Sequence, residues 1–158
     1  MSKDKNLLGY KLAQAIALAA EKFESGVDKS GEPYILHCIQ VMENVRKWED
    51  VELQIAAVLH DIVEDTNVSL YDLEHLYGFS KRVCKIVGNV TFPKCTNEEY
   101  LGRILNVVCL DQDSIKVKMA DLEHNSLILR MKGITDKDMA RLKKYHEAYY
   151  ILKAHLEK

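Results

Sequence analysis

The segment 56–66, AAVLHDIVEDT, restricts this chain more than any other. Its apolar run ends in His60, Asp61, Glu64 and Asp65, four ionisable groups within six positions. A core built only for stability would exclude them, because burying an unpaired charge is strongly unfavourable. Read as helix, the spacing sets His60 and Glu64 four residues apart on one stripe and Asp61 and Asp65 four apart on the next, so all four point to one side. One turn then offers an imidazole and three carboxylates, a combination that points to metal chemistry.

The remainder of the chain narrows the classes of partner. At 158 residues, it fits one domain over 1–158, since single domains commonly run to ~100–200 residues. With 47% hydrophobic and 29% charged residues it reads as a soluble globular protein. A net charge of -2 argues against a nucleic-acid polymer as partner, which would require a basic face to displace counterions. A small phosphorylated ligand needs only a local cluster of cations. Lys11 and Gln14 interrupt the apolar run near the start, which rules against a signal-peptide core. No apolar run approaches the ~18 residues of a membrane span, so a cytoplasmic protein with no membrane partner is expected. Cys38, Cys84, Cys95 and Cys109 show no C-x-x-C spacing and read as buried thiols in a reducing compartment. Nothing in the pattern specifies an oligomeric state.

Two prolines, seven glycines and apolar residues three or four apart predict an all-α chain with no strand. The first helix is expected over Leu7–Phe23, with Leu8, Leu12, Ile16 and Ala19 or Ala20 inward. Pro33 suits the first turn of a second helix through His37, Val41 and Val45. A third should carry the opening segment as far as Asp65 or Thr66. Ser69 with Asp72 resembles a capping box for a short fourth helix to Tyr77, stopped by Gly78. Ser80 caps a fifth to Thr91, Lys94–Asn97 is a loop, and helices over Glu98–Cys109, Ser114–Arg130 and Asp136–Leu156 complete a bundle of seven or eight.

Two other helices offer partners for the His60–Asp61 pair. His37 and Asp121 are each polar residues in an apolar helical pattern. His37, His60, Asp61 and Asp121 together would make a mixed nitrogen and oxygen set for one divalent transition metal such as Mn²⁺, Fe²⁺ or Zn²⁺. Such an ion activates water near neutral pH and so suits phosphate-ester hydrolysis. Each element alone is weak, and a single histidine on a helix is more often a packed residue; the combination over three helices carries the reading. His75, His146 and His155 read as ordinary histidines, and His124, three residues from Asp121, as a supporting partner.

These segments identify a resemblance. KSGEPYILH at 29–37, AAVLHDIVEDT at 56–66, YGFSKRVCKIVGNVT at 77–91 and KVKMADLEHN at 116–125 resemble, in order, the HD-domain phosphohydrolases, and more narrowly the stand-alone hydrolase domain of RelA/SpoT-type alarmone enzymes. The resemblance implies an HD-domain helical bundle holding one Mn²⁺-type ion through His37, His60, Asp61 and Asp121. It implies that Glu64 and Asp65 position or deprotonate the attacking water, and that Asn125 contacts the sugar or that water. Their place one turn beyond two ligands agrees with a water-activating role.

Its implied reaction is removal of the 3′-pyrophosphate of guanosine 3′,5′-bis(diphosphate), ppGpp. An HD-type nucleotidase acting on another nucleotide is the alternative, and a non-catalytic nucleotide sensor the alternative of another class. Glu64 and Asp65 argue against the sensor, because binding alone needs no water-activating pair. Lys29, Lys118 and Lys144 are the candidate phosphate contacts, while Arg103 and Arg141 read as solvated helix charges. Asp28 stands where the alarmone enzymes often carry Arg, and Leu122 and Glu123 where they often carry a basic residue and a Leu or Tyr. Asp28 therefore predicts repulsion of a highly anionic substrate, relieved by Asp28→Arg.

Overall fold

A computed structural model of the chain describes residues 2–157. Among them eight α-helices run in the order α1 (Ser2–Lys22), α2 (Tyr34–Val45), α3 (Val51–Val58), α4 (Ile62–Asp65), α5 (Lys81–Val90), α6 (Asn97–Asn106), α7 (Gln112–Asn125) and α8 (Asp136–Leu156). Short 3₁₀ turns follow α2, α6 and α7, and a π-helical turn spans Asp72–Leu76. The all-α expectation holds: strand pairing among the described residues is limited to a single bridge between Val27 and Pro33. No helix among the described residues is long and apolar enough to cross a membrane.

The helix starts follow local chemistry. Ser80 accepts from the Val83 N–H and Asp111 from the Ser114 N–H, each satisfying an orphan donor of its helix. Thr96 with Glu99 and Thr135 with Asp138 form reciprocal capping boxes, so α6 begins inside the stretch read as loop. Ser69 and Asp72 make the expected reciprocal pair, but the turn that follows is wound as π-helix rather than α. Pro33 lies just before α2, with ψ 127°, and not in its first turn. The Val27–Pro33 bridge draws this segment into a tight loop, with Gly31 at φ +85° supplying the left-handed residue.

α7 organises the interior. Ile115, Met119 and Leu122 join a cluster with Phe92, Tyr100, Ile104, Ala148 and Leu152. Val117 and Ala120, on another face, join the larger cluster built from α1, α2, α3 and α5. A helix apolar on two sides must be buried between layers, and α7 is. Asp121 lies between those two stripes, 4% exposed.

Arg82 of α5 ties the outside of this arrangement together. Its guanidinium donates to Asp50 at 2.6 Å, Asp113 at 2.8 Å and Glu52 at 3.1 Å, joining α5 to the starts of α3 and α7. Arg82→Ala leaves three carboxylates facing one another without a cation. Because the group is partly solvated, the expected loss is about 1–2 kcal/mol. That corresponds to a melting decrease of roughly 2–8 °C, read by thermal denaturation.

Candidate active site

The third helix expected from sequence is broken, and the break makes the site. α3 ends at Val58, His60 N–H reaches back to the Ala57 carbonyl at 3.4 Å, Ile62 N–H to Leu59 at 3.0 Å, and α4 starts at Ile62. This tight turn rotates His60 and Asp61 inward toward α2 and α7. His60 Nε2 lies 2.9 Å from Asp61 Oδ2, 3.2 Å from His37 Nε2 and 3.6 Å from Asp121 Oδ1. His37 Nε2 lies 3.6 Å from Asp61 Oδ2 and 3.4 Å from Asp121 Oδ1. Donors held ~2.0–2.2 Å from a central ion stand roughly 3–3.6 Å from one another, so this spacing fits a divalent cation. Two imidazoles and two carboxylates also have the right chemistry for one.

Every donor is oriented by a second contact. His60 Nδ1 donates to the Ala57 carbonyl at 2.8 Å, so Nε2 is the nitrogen that faces the cluster. His37 Nδ1 lies 2.7 Å from His124 Nδ1 and can donate to it, turning its own Nε2 inward. His124 is suited to accept: burial, then the neighbouring His37 and Arg130 charges, lower its pKa to about 4. His124, expected as a supporting partner through its spacing from Asp121, stands against His37. Asp61 Oδ2 accepts from the Tyr34 hydroxyl at 2.5 Å. Asp121 accepts from Asn125 Nδ2 at 2.6 Å on Oδ1 and from Lys118 Nζ at 2.8 Å on Oδ2.

Electrostatics follow the same arrangement. Burial opposes ionisation of Asp61 and Asp121, but His60 beside the first and Lys118 beside the second hold both carboxyls far below their ordinary range. Burial likewise opposes a charge on His60, and Asp61 with Asp121 outweighs it, raising its pKa to about 10.

Glu64 and Asp65 follow on α4, at the wall of a cavity of about 530 Å³ that His37, Asp61 and Asp121 also line. They do not continue a single stripe with His60 and Asp61, because the helix is broken between the pairs. Glu64 Oε2 accepts from the Phe92 N–H at 2.8 Å, and the Tyr34 hydroxyl is 3.5 Å from Asp65 Oδ2. Partial desolvation in the cavity raises both carboxyl pKa values, and the charge of Asp61 raises them further; the Phe92 N–H opposes the shift at Glu64. Raised carboxyl groups beside a metal site are suited to taking a proton.

Lys29, Lys118, Asn125 and Lys144 all line the cavity. Lys118 and Asn125 both donate to Asp121 and so fix its carboxylate. Lys144 lies over the rings of Tyr100 and Tyr145, and Lys29 over Tyr145. Arg141, read from sequence as a solvated charge, pairs with Asp138 and lines the cavity. Arg103 donates to the Gly88 carbonyl and lies over the ring of Phe92, and it does not itself line the cavity. Tyr34, Tyr100, Arg130 and Tyr145 were not singled out by sequence reasoning, yet they line the same space. Only Tyr34 carried a local signal, three residues before His37 on the same helical face.

Asp28 corrects an expectation. Its Oδ1 accepts from Ser30 N–H at 2.8 Å, Ser30 Oγ at 2.6 Å and Glu32 N–H at 3.0 Å, and its Oδ2 pairs with Arg130. The carboxylate closes the loop before α2, and its charge is met by a cation from the turn after α7. It does not stand as a free repulsive charge. Asp28→Arg should therefore lower stability by about 1–3 kcal/mol, through loss of these bonds and juxtaposition of two guanidiniums, rather than improve binding of an anion. Denaturant unfolding measures the loss, and an unchanged midpoint would refute it.

The comparisons with known proteins bear on this site. A profile of the HD domain matches residues 15–100, which include His37, His60 and Asp61. The bifunctional (p)ppGpp synthase/hydrolase SpoT of Escherichia coli K12 is 32% identical over 124 residues, covering 73% of this chain and 17% of that protein. A probable guanosine-3′,5′-bis(diphosphate) 3′-pyrophosphohydrolase of Synechocystis is 38% identical over 106 residues, covering 61% of this chain and 14% of that one. The chain thus spans less than a fifth of the length of these curated relatives. A solved structure of a metazoan ortholog of SpoT, described as hydrolysing ppGpp, superposes with a TM-score of 0.74 at 25% identity, covering 93% of this chain and 92% of that chain. With more than half its length matched and the helical architecture shared, this chain belongs to the HD domain family.

Proposed function

We propose that this chain is a divalent-metal-dependent hydrolase of a small phosphorylated nucleotide, removing pyrophosphate from ppGpp. The observation that carries the reading is the conjunction, at one cavity, of the His37–His60–Asp61–Asp121 cluster with two carboxylates of raised pKa and several cationic side chains. The names of the relatives, and the reported activity of the metazoan ortholog, support ppGpp as the substrate. A volume of about 530 Å³ is within the usual range for a small-molecule site.

His37, His60, Asp61 and Asp121 would hold the cation; this mixed donor set suits Mn²⁺, Fe²⁺ or Zn²⁺, and the family resemblance favours Mn²⁺. When bound, it supplies Lewis-acid chemistry at a phosphoryl group and lowers the pKa of water. Tyr34, His124, Lys118, Asn125 and the Ala57 carbonyl keep the four donors in place. Glu64, anchored through Oε2 by Phe92, presents Oε1 to take a proton from the attacking water, and Asp65 orients that water. The water oxygen ends on the phosphorus next to the ribose 3′ oxygen, that phosphorus–oxygen bond breaks, and the proton passes to the departing 3′ oxygen. Lys29, Arg141 and Lys144 provide positive charge for the phosphates.

The deciding experiment incubates Mn²⁺-loaded protein with a nucleotide panel that includes ppGpp and separates pyrophosphate from phosphate release. Pyrophosphate from ppGpp is the expected result. Robust turnover of another nucleotide with none of ppGpp would replace the substrate, and no turnover of any would end the hydrolase reading.

A further inference from the structure

The Tyr100 hydroxyl is a donor with no acceptor among the described residues. The residue lies on α6, lines the cavity and is 7% exposed, with its hydroxyl fully buried. Buried polar atoms in folded proteins are nearly always paired, so one left over beside a binding cavity calls for a partner that arrives with water or ligand. Its surroundings indicate which. Lys144 Nζ lies 4.5 Å from the centre of the ring and Lys118 Nζ 5.9 Å from it, and both lysines line the cavity. Burial pushes the phenol pKa up to about 12, so at neutral pH the group is a donor. A neutral donor flanked by two ammonium groups matches an anion rich in acceptor oxygens, which a phosphoryl group is.

We propose that Tyr100 is a substrate-binding residue whose hydroxyl donates to a non-bridging phosphate oxygen held between Lys118 and Lys144. The inference rests on reading the cavity as a site for a phosphorylated nucleotide. The hydroxyl is closed to solvent. For a phosphate to reach the phenol, the ammonium of half-buried Lys144, which lies across the ring, must move aside.

Tyr100→Phe tests this with two readouts of opposite sign. The variant deletes an unpaired buried polar atom, so the protein without ligand should melt at the same temperature or higher. Affinity of the Mn²⁺-loaded protein for inorganic pyrophosphate, measured by calorimetry, should fall about 10- to 100-fold. Equal pyrophosphate affinity in variant and wild type would overturn the proposal, as would the absence of pyrophosphate binding by both. Loss of pyrophosphate affinity in the variant, together with no nucleotide hydrolysis by wild type, would uphold the role of Tyr100 while removing the hydrolase reading. Hydrolysis of ppGpp by both proteins with equal KM and equal pyrophosphate affinity would do the reverse.

Discussion

Replacing Glu64 by Gln and Asp65 by Asn together is expected to lower turnover by ~10²–10⁴-fold while metal binding persists. The substitutions keep the size of both side chains, and the amide carbonyl introduced by Glu64→Gln can still accept from the Phe92 N–H, but neither new side chain can take a proton. Neither carboxylate is among the four clustered donors, so a metal titration should show unchanged stoichiometry and similar affinity. The acidic limb of the wild-type rate profile should also lie above the ordinary carboxylate range, because both pKa values are raised and the base works only when ionised. Full kcat in the double variant would place the base elsewhere.

Removing a ligand should have the second large effect. Binding an ion to the folded state alone adds about RT ln(1 + [L]/Kd), or ~2.7 kcal/mol at one hundred times Kd, which is a melting shift of roughly 5–10 °C. His60→Ala should abolish that shift and the activity with it. Asp121→Ala should do so as well, at a further cost. It strands the Lys118 ammonium, 6% exposed, without its partner, and breaking such a buried pair costs about 3–5 kcal/mol. Comparing the metal-dependent shift, rather than the melting temperature alone, separates the two effects. Metal binding should also tighten as pH rises. Before an ion binds, His60 carries a proton up to about pH 10, and that proton must leave before Nε2 can act as a ligand. Calorimetry in buffers of different ionisation enthalpy counts the protons released; a wild-type protein whose melting ignores Mn²⁺ would refute the site.

The helical class, the ends of most helices and the identities of the clustered His and Asp residues were legible in the chain itself, because each rests on local physics. Apolar residues three or four apart, and side-chain oxygens placed to accept from orphan N–H groups at Ser80 and at Thr135, act over one turn. His37 and Asp121 stood out as polar residues in apolar helical patterns, and their meeting with His60 and Asp61 is what such residues need once buried. Other features belonged to the tertiary structure alone. The break after Val58 has no proline or glycine to announce it; it is fixed by the packing that turns His60 and Asp61 toward α2 and α7. Asp28 read as a repulsive charge because Arg130, 102 residues away, could not be seen to meet it. Arg141 read as a solvated helix charge and Tyr100 drew no reading, because the cavity that both line is closed by residues of other helices and loops. Capping and periodicity are written in neighbouring residues, whereas the neutralisation of a charge and the filling of a cavity depend on residues brought together only when α6, α7 and α8 close around one another.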